Sequence, residues 1–340
     1  MLKLIEWLYR LLNKILSFSI LAVILLSSVF TMNYAFGADP PKKLVLNNAT
    51  CKKLNGYWRG DGTSYSSSTA STSLGWCEIN TNTEIKSNET LTIPKGVYIE
   101  IFKDTIFTNS GTILINEQII IDIKGKLINK GKITINNTMQ GYTGLFNDGT
   151  LDNSGTITIK NSGADTSGIN NMGIVNNTGT IIIESTKNKT TELEWGIFNE
   201  GKIKNDVSGK IIIKNTAGYS NGITNVGTID NFGTITISNT GGQTWGIENL
   251  VDGKIQNMKS GKITISNGGG QSIGLWSDGS IKNSGTITLA KLGGARDTEM
   301  WFDENASFSN DGIVCGSVGV QKEGFLPNPK IQAIKTVPCK

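Results

Sequence analysis

From Gly144 onward the chain repeats one pattern of apolar and polar positions. It reads GLFNDGTLDNSGTITIKN from Gly144, GINNMGIVNNTGTIIIES from Gly168, GIFNEGKIKNDVSGKIIIKN from Gly196 and GITNVGTIDNFGTITISN from Gly222. The pattern continues as GIENLVDGKIQNMKSGKITISN from Gly246 and GLWSDGSIKNSGTITLAK from Gly274, with a period of 24 to 28 residues. Each unit holds three short apolar clusters, such as Leu145, Leu151 and Ile157 with Ile159, each followed by an Asn or Gly turn. Alternation within the third cluster, Gly-Thr-Ile-Thr-Ile, points Ile157 and Ile159 inward and Thr156 and Thr158 outward. The same alternation places Ile235 and Ile237, Ile263 and Ile265, and Ile287 and Leu289 in the core. The first cluster adds Leu145, Ile169, Ile197, Ile223, Ile247 and Leu275.

A unit this short has too little apolar surface to bury alone, whereas stacking equivalent clusters makes one continuous interior. Three clusters per unit predict three sides, and the crossover preference predicts a right-handed coil. The expected fold is therefore all-β, a right-handed three-sided parallel β-helix (β-solenoid). One Asn recurs before the third cluster in every unit: Asn109, Asn129, Asn153, Asn177, Asn205, Asn231, Asn257, Asn283 and Asn310. These nine positions count about nine coils, a rod of about 40 Å at about 4.8 Å per strand. A second column runs Asn147, Asn171, Asn199, Asn225, Asn249 and Ser277. Because both columns keep step with the coil, they read as turn-forming ladders in left-handed conformations, bonded amide to amide, rather than as ligand contacts. The repeats span 91–300, opening with LTIPKGVYIEI, a strand, a Pro-Gly turn and a second strand. Residues 38–90 and 301–340 do not repeat and are expected to cap the apolar ends, with Pro327, Pro329 and Pro338 blocking further strand addition.

Composition agrees with many short strands: 41 Gly, 6 Pro and 18% charged residues in a chain of 340. Residues 1–37 stand apart. Lys3, Arg10 and Lys14 precede an uncharged apolar run over 15–30, followed by the small residues around Gly37. This is the layout of a secretory signal cleaved after Gly37, with an uncleaved membrane anchor as the alternative. Both readings place the remainder outside the cytoplasm, secreted or on the cell surface. The scattered charges form no basic patch, which argues against a nucleic-acid partner. The four cysteines form two distant pairs, and a rigid rod between them permits only local bonds, Cys51–Cys77 and Cys315–Cys339. Zinc is disfavoured, since there is no His and no CxxC pair.

Candidate chemistry is sparse. Parallel β-helices often carry polysaccharide lyases and hydrolases, which need paired carboxylates. Asp148, Asp152, Glu200, Asp230 and Glu248 are read as mostly turn residues, with no two on neighbouring coils in matching positions. The lack of His removes Ser-His and Cys-His pairs, so no catalytic, cofactor or metal residues are assigned. A lyase using Asp, Lys and Arg with calcium is the alternative. Trp195 and Trp245, just before the repeat Gly, are expected to fill a corner of the core, while Phe146, Phe198 and Trp276 form a broken outward stripe. Arg59-Gly60-Asp61 matches an integrin-binding tripeptide but reads as a solvated turn. Sequons at Asn48, Asn88, Asn136, Asn176, Asn188 and Asn305 are acceptors where glycosylation machinery exists. The joint between the third cluster and the next repeat Gly varies most, and its longest forms, 185–195 and 290–300, hold clustered charge. Lys187, Glu192, Glu194, Trp195, Lys291, Arg296 and Trp301 are therefore the candidate binding-loop residues along one edge.

The phrase Asn-Ser-Gly-Thr-Ile at 109–113, 153–157 and 283–287 resembles the repeats of β-helical surface proteins, including passenger regions of autotransporter adhesins. The segment from CKKLNGYW at 51–58 through Trp76-Cys77 resembles the starts of exported β-helix proteins of ammonia-oxidising archaea. The resemblance covers 51–313 and implies a non-catalytic structural or adhesive surface module, with a polysaccharide-binding or polysaccharide-degrading protein as the alternative. Its partners would be cell-envelope components, extracellular glycans or other surface proteins. Membrane contact would come only through residues 1–37, if they are retained.

Overall fold

The computed structural model describes residues 40–60, 75–116, 121–137, 143–161, 167–185, 193–216, 219–240, 243–267, 271–291, 298–316 and 336–337. Residues 1–37, expected to be the signal or anchor, lie outside them. The chain divides into two compact units, Met1–Lys42 and Lys43–Lys340, and only residues 40–42 of the first are described.

Within the second unit the strands fall into three sheets of 11, 10 and 12 strands, built from the first, second and third apolar clusters respectively. From Gly75–Ile79 to Ile313–Cys315, successive strands of one sheet are separated in sequence by one strand from each of the other two, so the chain visits the sheets in rotation; before this run Gly56–Gly60 pairs antiparallel with Gly75–Ile79. That is the expected three-sided parallel solenoid. Equivalent residues pair directly from coil to coil: Leu127 with Leu151, Ile157 with Ile181, Ile223 with Ile247. Ile157, Ile159, Ile235, Ile237, Ile263, Ile265, Ile287 and Leu289 are all buried, as are Leu145, Ile169, Ile197, Ile223, Ile247 and Leu275. Each such side chain contributes about 1.5–3 kcal/mol relative to exposure.

Parallel stacking extends beyond the expected 91–300. Strand Gly75–Ile79 already pairs in parallel with Val97–Ile101, and Ile313–Cys315 pairs with Thr286–Lys291. The second sheet has ten strands, one more than the Asn column counts, because Thr83–Ile85 joins it with Ile85 in the Asn place. The expected Pro-Gly turn is present between Glu89–Ile93 and Val97–Ile101, with Gly96 at φ 76°.

Glycine shapes the corner between the third and first sheets. A Cβ on Gly222 would lie 2.5 Å from the Gly246 carbonyl oxygen and 2.5 Å from Ile237 Cγ2, so this position faces the core and admits no side chain. At the other corners two successive amides reach one carbonyl of the preceding coil, as Ser154 N and Gly155 N do to Asn129 O at 2.8 and 3.0 Å. Backbone pairing thus runs through the turns as well as the strands.

The N-terminal cap is a short helix, Asn48–Lys53, begun by Asn47, whose side chain accepts from Thr50 N at 2.9 Å. Cys51 on this helix is bonded to Cys77 on Gly75–Ile79, and both are fully buried. A crosslink between residues 26 apart is worth about 3 kcal/mol by loop-closure entropy. Replacing both cysteines by Ser is therefore expected to cost about 3 kcal/mol in a denaturant titration. A loss below about 1 kcal/mol would show that the bond does not hold the cap. Cys315 is also disulfide-bonded, and Cys339 lies outside the described residues.

Candidate functional site

The outward face of the first sheet gathers the side chains that neither the core nor the ladders use. Its register aligns one column through ten strands: Glu78, Glu100, Asp122, Phe146, Asn170, then Phe198, Thr224, Glu248, Trp276 and Trp301. Beside it runs a shorter column, Ser167, Trp195, Asn221, Trp245 and Ile273. The corner glycine separates the two. Since Gly196 and Gly246 turn inward and the next Ile is inward again, strict alternation fails at this point. Trp195 and Trp245 therefore do not fill the core: Trp195 is half-buried, Trp245 is 37% exposed. The Trp195 ring instead meets the outward Phe198 edge to face, centroids 6.1 Å apart.

At the centre of this face Glu248 Oε2 accepts from Asn221 Nδ2 at 2.8 Å and from Thr224 Oγ1 at 2.9 Å. Asn221 and Thr224 are buried. Burial pushes the Glu248 carboxyl above the usual carboxylate range, and the two donated bonds only partly oppose it. Trp276 lies directly opposite Glu248 on the next coil, and Trp245 precedes it on the same strand. The face thus sets aromatic side chains, interrupted by Asn170, Thr224 and Glu248, beside a few fixed donors and acceptors.

The opposite end is acidic. Glu78, Glu100 and Asp122 stand in register on three consecutive coils, so neighbouring coils do carry matching carboxylates. They escape the repeated phrases because all three precede Gly144, where those phrases begin. Arg59 pairs with Glu78 and lies 5.8 Å over the Trp76 ring. Lys124 pairs with Glu100 and reaches Asp122 at 3.6 Å. Burial, opposed by Lys124 and reinforced by Glu100, raises the Asp122 carboxyl. Arg59 is thus a strand residue engaged with its neighbours rather than part of a solvated turn, and Asp61 lies outside the described residues. Among the described residues no group of three or more His, Cys, Asp or Glu is placed to hold a metal ion.

Other acidic residues also differ from expectation. Asp152 and Asp230 lie on second-sheet strands, not in turns, and pair with Lys126 at 2.6 Å and Lys202 at 2.9 Å. Glu248 likewise lies on a strand.

The Asn columns are structural. Each Nδ2 of the nine-residue column donates to the next Oδ1 at 2.6–2.8 Å, unbroken from Asn109 to Asn310. The second column is bonded the same way from Asn147 to Asn249 and ends on Ser277 Oγ at 3.0 Å. The side chains do not occupy left-handed turns: the only described non-glycine residues with positive φ are Asn55 and Asp104. Each Asn is instead the last residue of its strand, where an interior amide such as that of Asn205 or Asn231 satisfies both its neighbour and a backbone carbonyl of the following coil, while Asn225 and Asn310 donate to Gly227 O and Gly312 O of their own coils. A third column, Asn161, Ser185, Asn215 and Asn239, was not anticipated, although an Asn or Ser ends most GTITIxN phrases. Asn215 and Asn239 donate to Asn221 O and Trp245 O at 3.1 and 2.9 Å, closing the variable joints beneath the aromatic face.

Of the candidate loop residues, Glu194 and Trp195 lie on Leu193–Asn199, Lys291 ends Thr286–Lys291 and Trp301 lies on Thr298–Phe302. Four of the seven are therefore strand residues, because the first and third sheets reach into the joints. Lys187, Glu192 and Arg296 lie outside the described residues. Among the sequons, Asn48 and Asn305 are exposed and Asn88 is half-buried. Asn136 and Asn176 sit on strands and donate to Asn116 and Asp152, while Asn188 lies outside the described residues. Comparison with protein-family models, with curated proteins and with solved structures finds no match.

Proposed function

We propose that this chain is a non-catalytic surface or extracellular β-solenoid that adheres to glycans through the outward face of its first sheet. The observation that carries this reading is the exposed Trp245, opposite Ile273, and Trp276, opposite Glu248, on the same face as a network in which buried Asn221 and Thr224 donate to half-buried Glu248. Indole faces stack on the C–H faces of sugar rings, and the fixed amide, hydroxyl and carboxyl groups match sugar hydroxyls. The disulfide at Cys51–Cys77 is of the kind that forms in oxidising, extracytoplasmic surroundings. The resemblance to exported β-helix proteins and adhesin repeats points the same way.

The test is retention on immobilised neutral polysaccharides, with a parallel assay for released reducing ends. Trp245→Ala and Trp276→Ala are each expected to weaken retention about tenfold, since truncating a central aromatic anchor typically costs more than 1 kcal/mol. Glu248→Gln separates the effect on folding from the effect on binding. Its raised folded value means that the stability this group supplies is fully present below the ordinary carboxylate value and is lost as pH rises through the folded value. The Gln variant should therefore melt higher than the parent at pH 7 and level with it at pH 4, while binding more weakly. Unchanged retention in all three variants would end the glycan-face reading, and specific turnover would end the non-catalytic one.

A further inference from the structure

The outward face of the second sheet carries a charge pattern that changes along the stack. On its earlier coils each cation meets a carboxylate: Lys126 with Asp152, Lys202 with Asp230 and Lys204 with Asp206. Asp230 is the last carboxylate in either outward column, and Gln256 already donates to its second oxygen at 3.1 Å. Beyond it, strands Lys254–Asn257, Ser280–Asn283 and Ser307–Asn310 border a half-open groove of about 310 Å³. Lys254, Gln256, Ser280, Lys282, Ser307 and Ser309 line it. Lys254 and Lys282 form no ion pair with a described residue, and the three serine hydroxyls have no side-chain hydrogen bond to one. Lys254 stands opposite Ser280, and Gln256 opposite Lys282, so the two ammonium stems rise from diagonal positions on adjacent coils, about 8 Å apart at the backbone.

Two uncompensated cations flanking a concave strip of hydroxyl donors, on a sheet that elsewhere neutralises its lysines, make a receptor for a negative group. We propose that this groove binds a carboxylate or sulfate borne on an extracellular saccharide. It is a second site, on a different sheet from the aromatic face and independent of it. Lys254 and Lys282 would straddle the anion while Ser280, Ser307 and Ser309 donate to its remaining oxygens.

The test uses the full secreted chain and three probes: a uronate trisaccharide, inorganic sulfate and a neutral trisaccharide. Calorimetric titration at low salt is expected to show uronate binding that weakens as salt rises. The exposed double variant Lys254→Gln/Lys282→Gln should lose at least tenfold in affinity with an unchanged melting temperature. The control Lys103→Gln/Lys130→Gln, an equal charge change at exposed positions outside the strands, should bind like the parent. Competition by sulfate supports recognition of the anion itself, and sulfate alone binding as tightly as the uronate assigns the site to a free anion rather than a saccharide, overturning that part of the proposal. No binding of either anionic probe, equal binding of the neutral probe, or equal losses in the Lys103/Lys130 control and the Lys254/Lys282 variant would each overturn it.

Discussion

Ile235→Asp is expected to destabilise the chain by about 4–8 kcal/mol, whereas Thr236→Asp, one residue along, should cost about 1 kcal/mol or less. Ile235 is buried in the third-sheet column between Ile211 and Ile263, directly in register with both. Removing it forfeits about 1.5–3 kcal/mol of apolar burial and inserts a carboxyl where only methyl groups could meet it. Such a group stays protonated or drags in water, and either response disrupts the two adjacent coils. Thr236 lies on the opposite side of the same strand, half exposed, where an Asp reaches solvent and loses only strand propensity. Against a total stability of about 5–15 kcal/mol, the first substitution approaches unfolding and the second is near silent. Urea titrations of the two variants check this, and similar midpoints would show that inward and outward positions are wrongly assigned.

That contrast rests on what alternation makes legible. Within GTITI the side-chain period is two and nothing interrupts it, so Ile235 and Ile237 could be placed inside from the sequence. The same rule fails one residue before Ile197 and Ile247, where Gly196 and Gly246 occupy inward corners of their own. A glycine carries no hydropathy signal, so the broken phase that turns Trp195 and Trp245 outward was invisible, and with it the centre of the candidate face. The acidic end was hidden for another reason. Glu78, Glu100 and Asp122 recur at a shorter spacing than the later repeats and in segments lacking their phrases, so only the register brings them together. Asp152 and Asp230 show the limit of residue type as a guide. Asp favours turns, but on an outward strand position beside a lysine of a neighbouring coil it is stable as an ion pair.

The Asn columns were legible as periodic, yet their energetic role follows only from where they point. Asn231 accepts from Asn205 Nδ2 at 2.8 Å, donates to Asn257 Oδ1 at 2.8 Å and donates again to Lys262 O at 3.3 Å, all without solvent. Asn231→Ala removes these bonds and leaves the Asn257 oxygen without its donor in a site that water does not reach. With about 1–3 kcal/mol for each buried group left unsatisfied, the expected loss is about 3–5 kcal/mol. The chain tolerates such an orphan at the head of each column, where Asn109 Oδ1 and Asn147 Oδ1 have no partner and face coils carrying Ile85 and Ile123 in the same place. An interior gap differs because it interrupts donors that are all aligned in one direction, so the bonds on either side weaken with it. At the tail, Asn310 is half exposed, accepts from Asn283 and donates to Gly312 O at 3.3 Å, so Asn310→Ala should cost about 1 kcal/mol. Denaturant unfolding of the two alanine variants, compared at equal temperature, measures the difference. If the interior and terminal substitutions cost the same, the ladder is a set of independent pairs and not a continuous support for the stack.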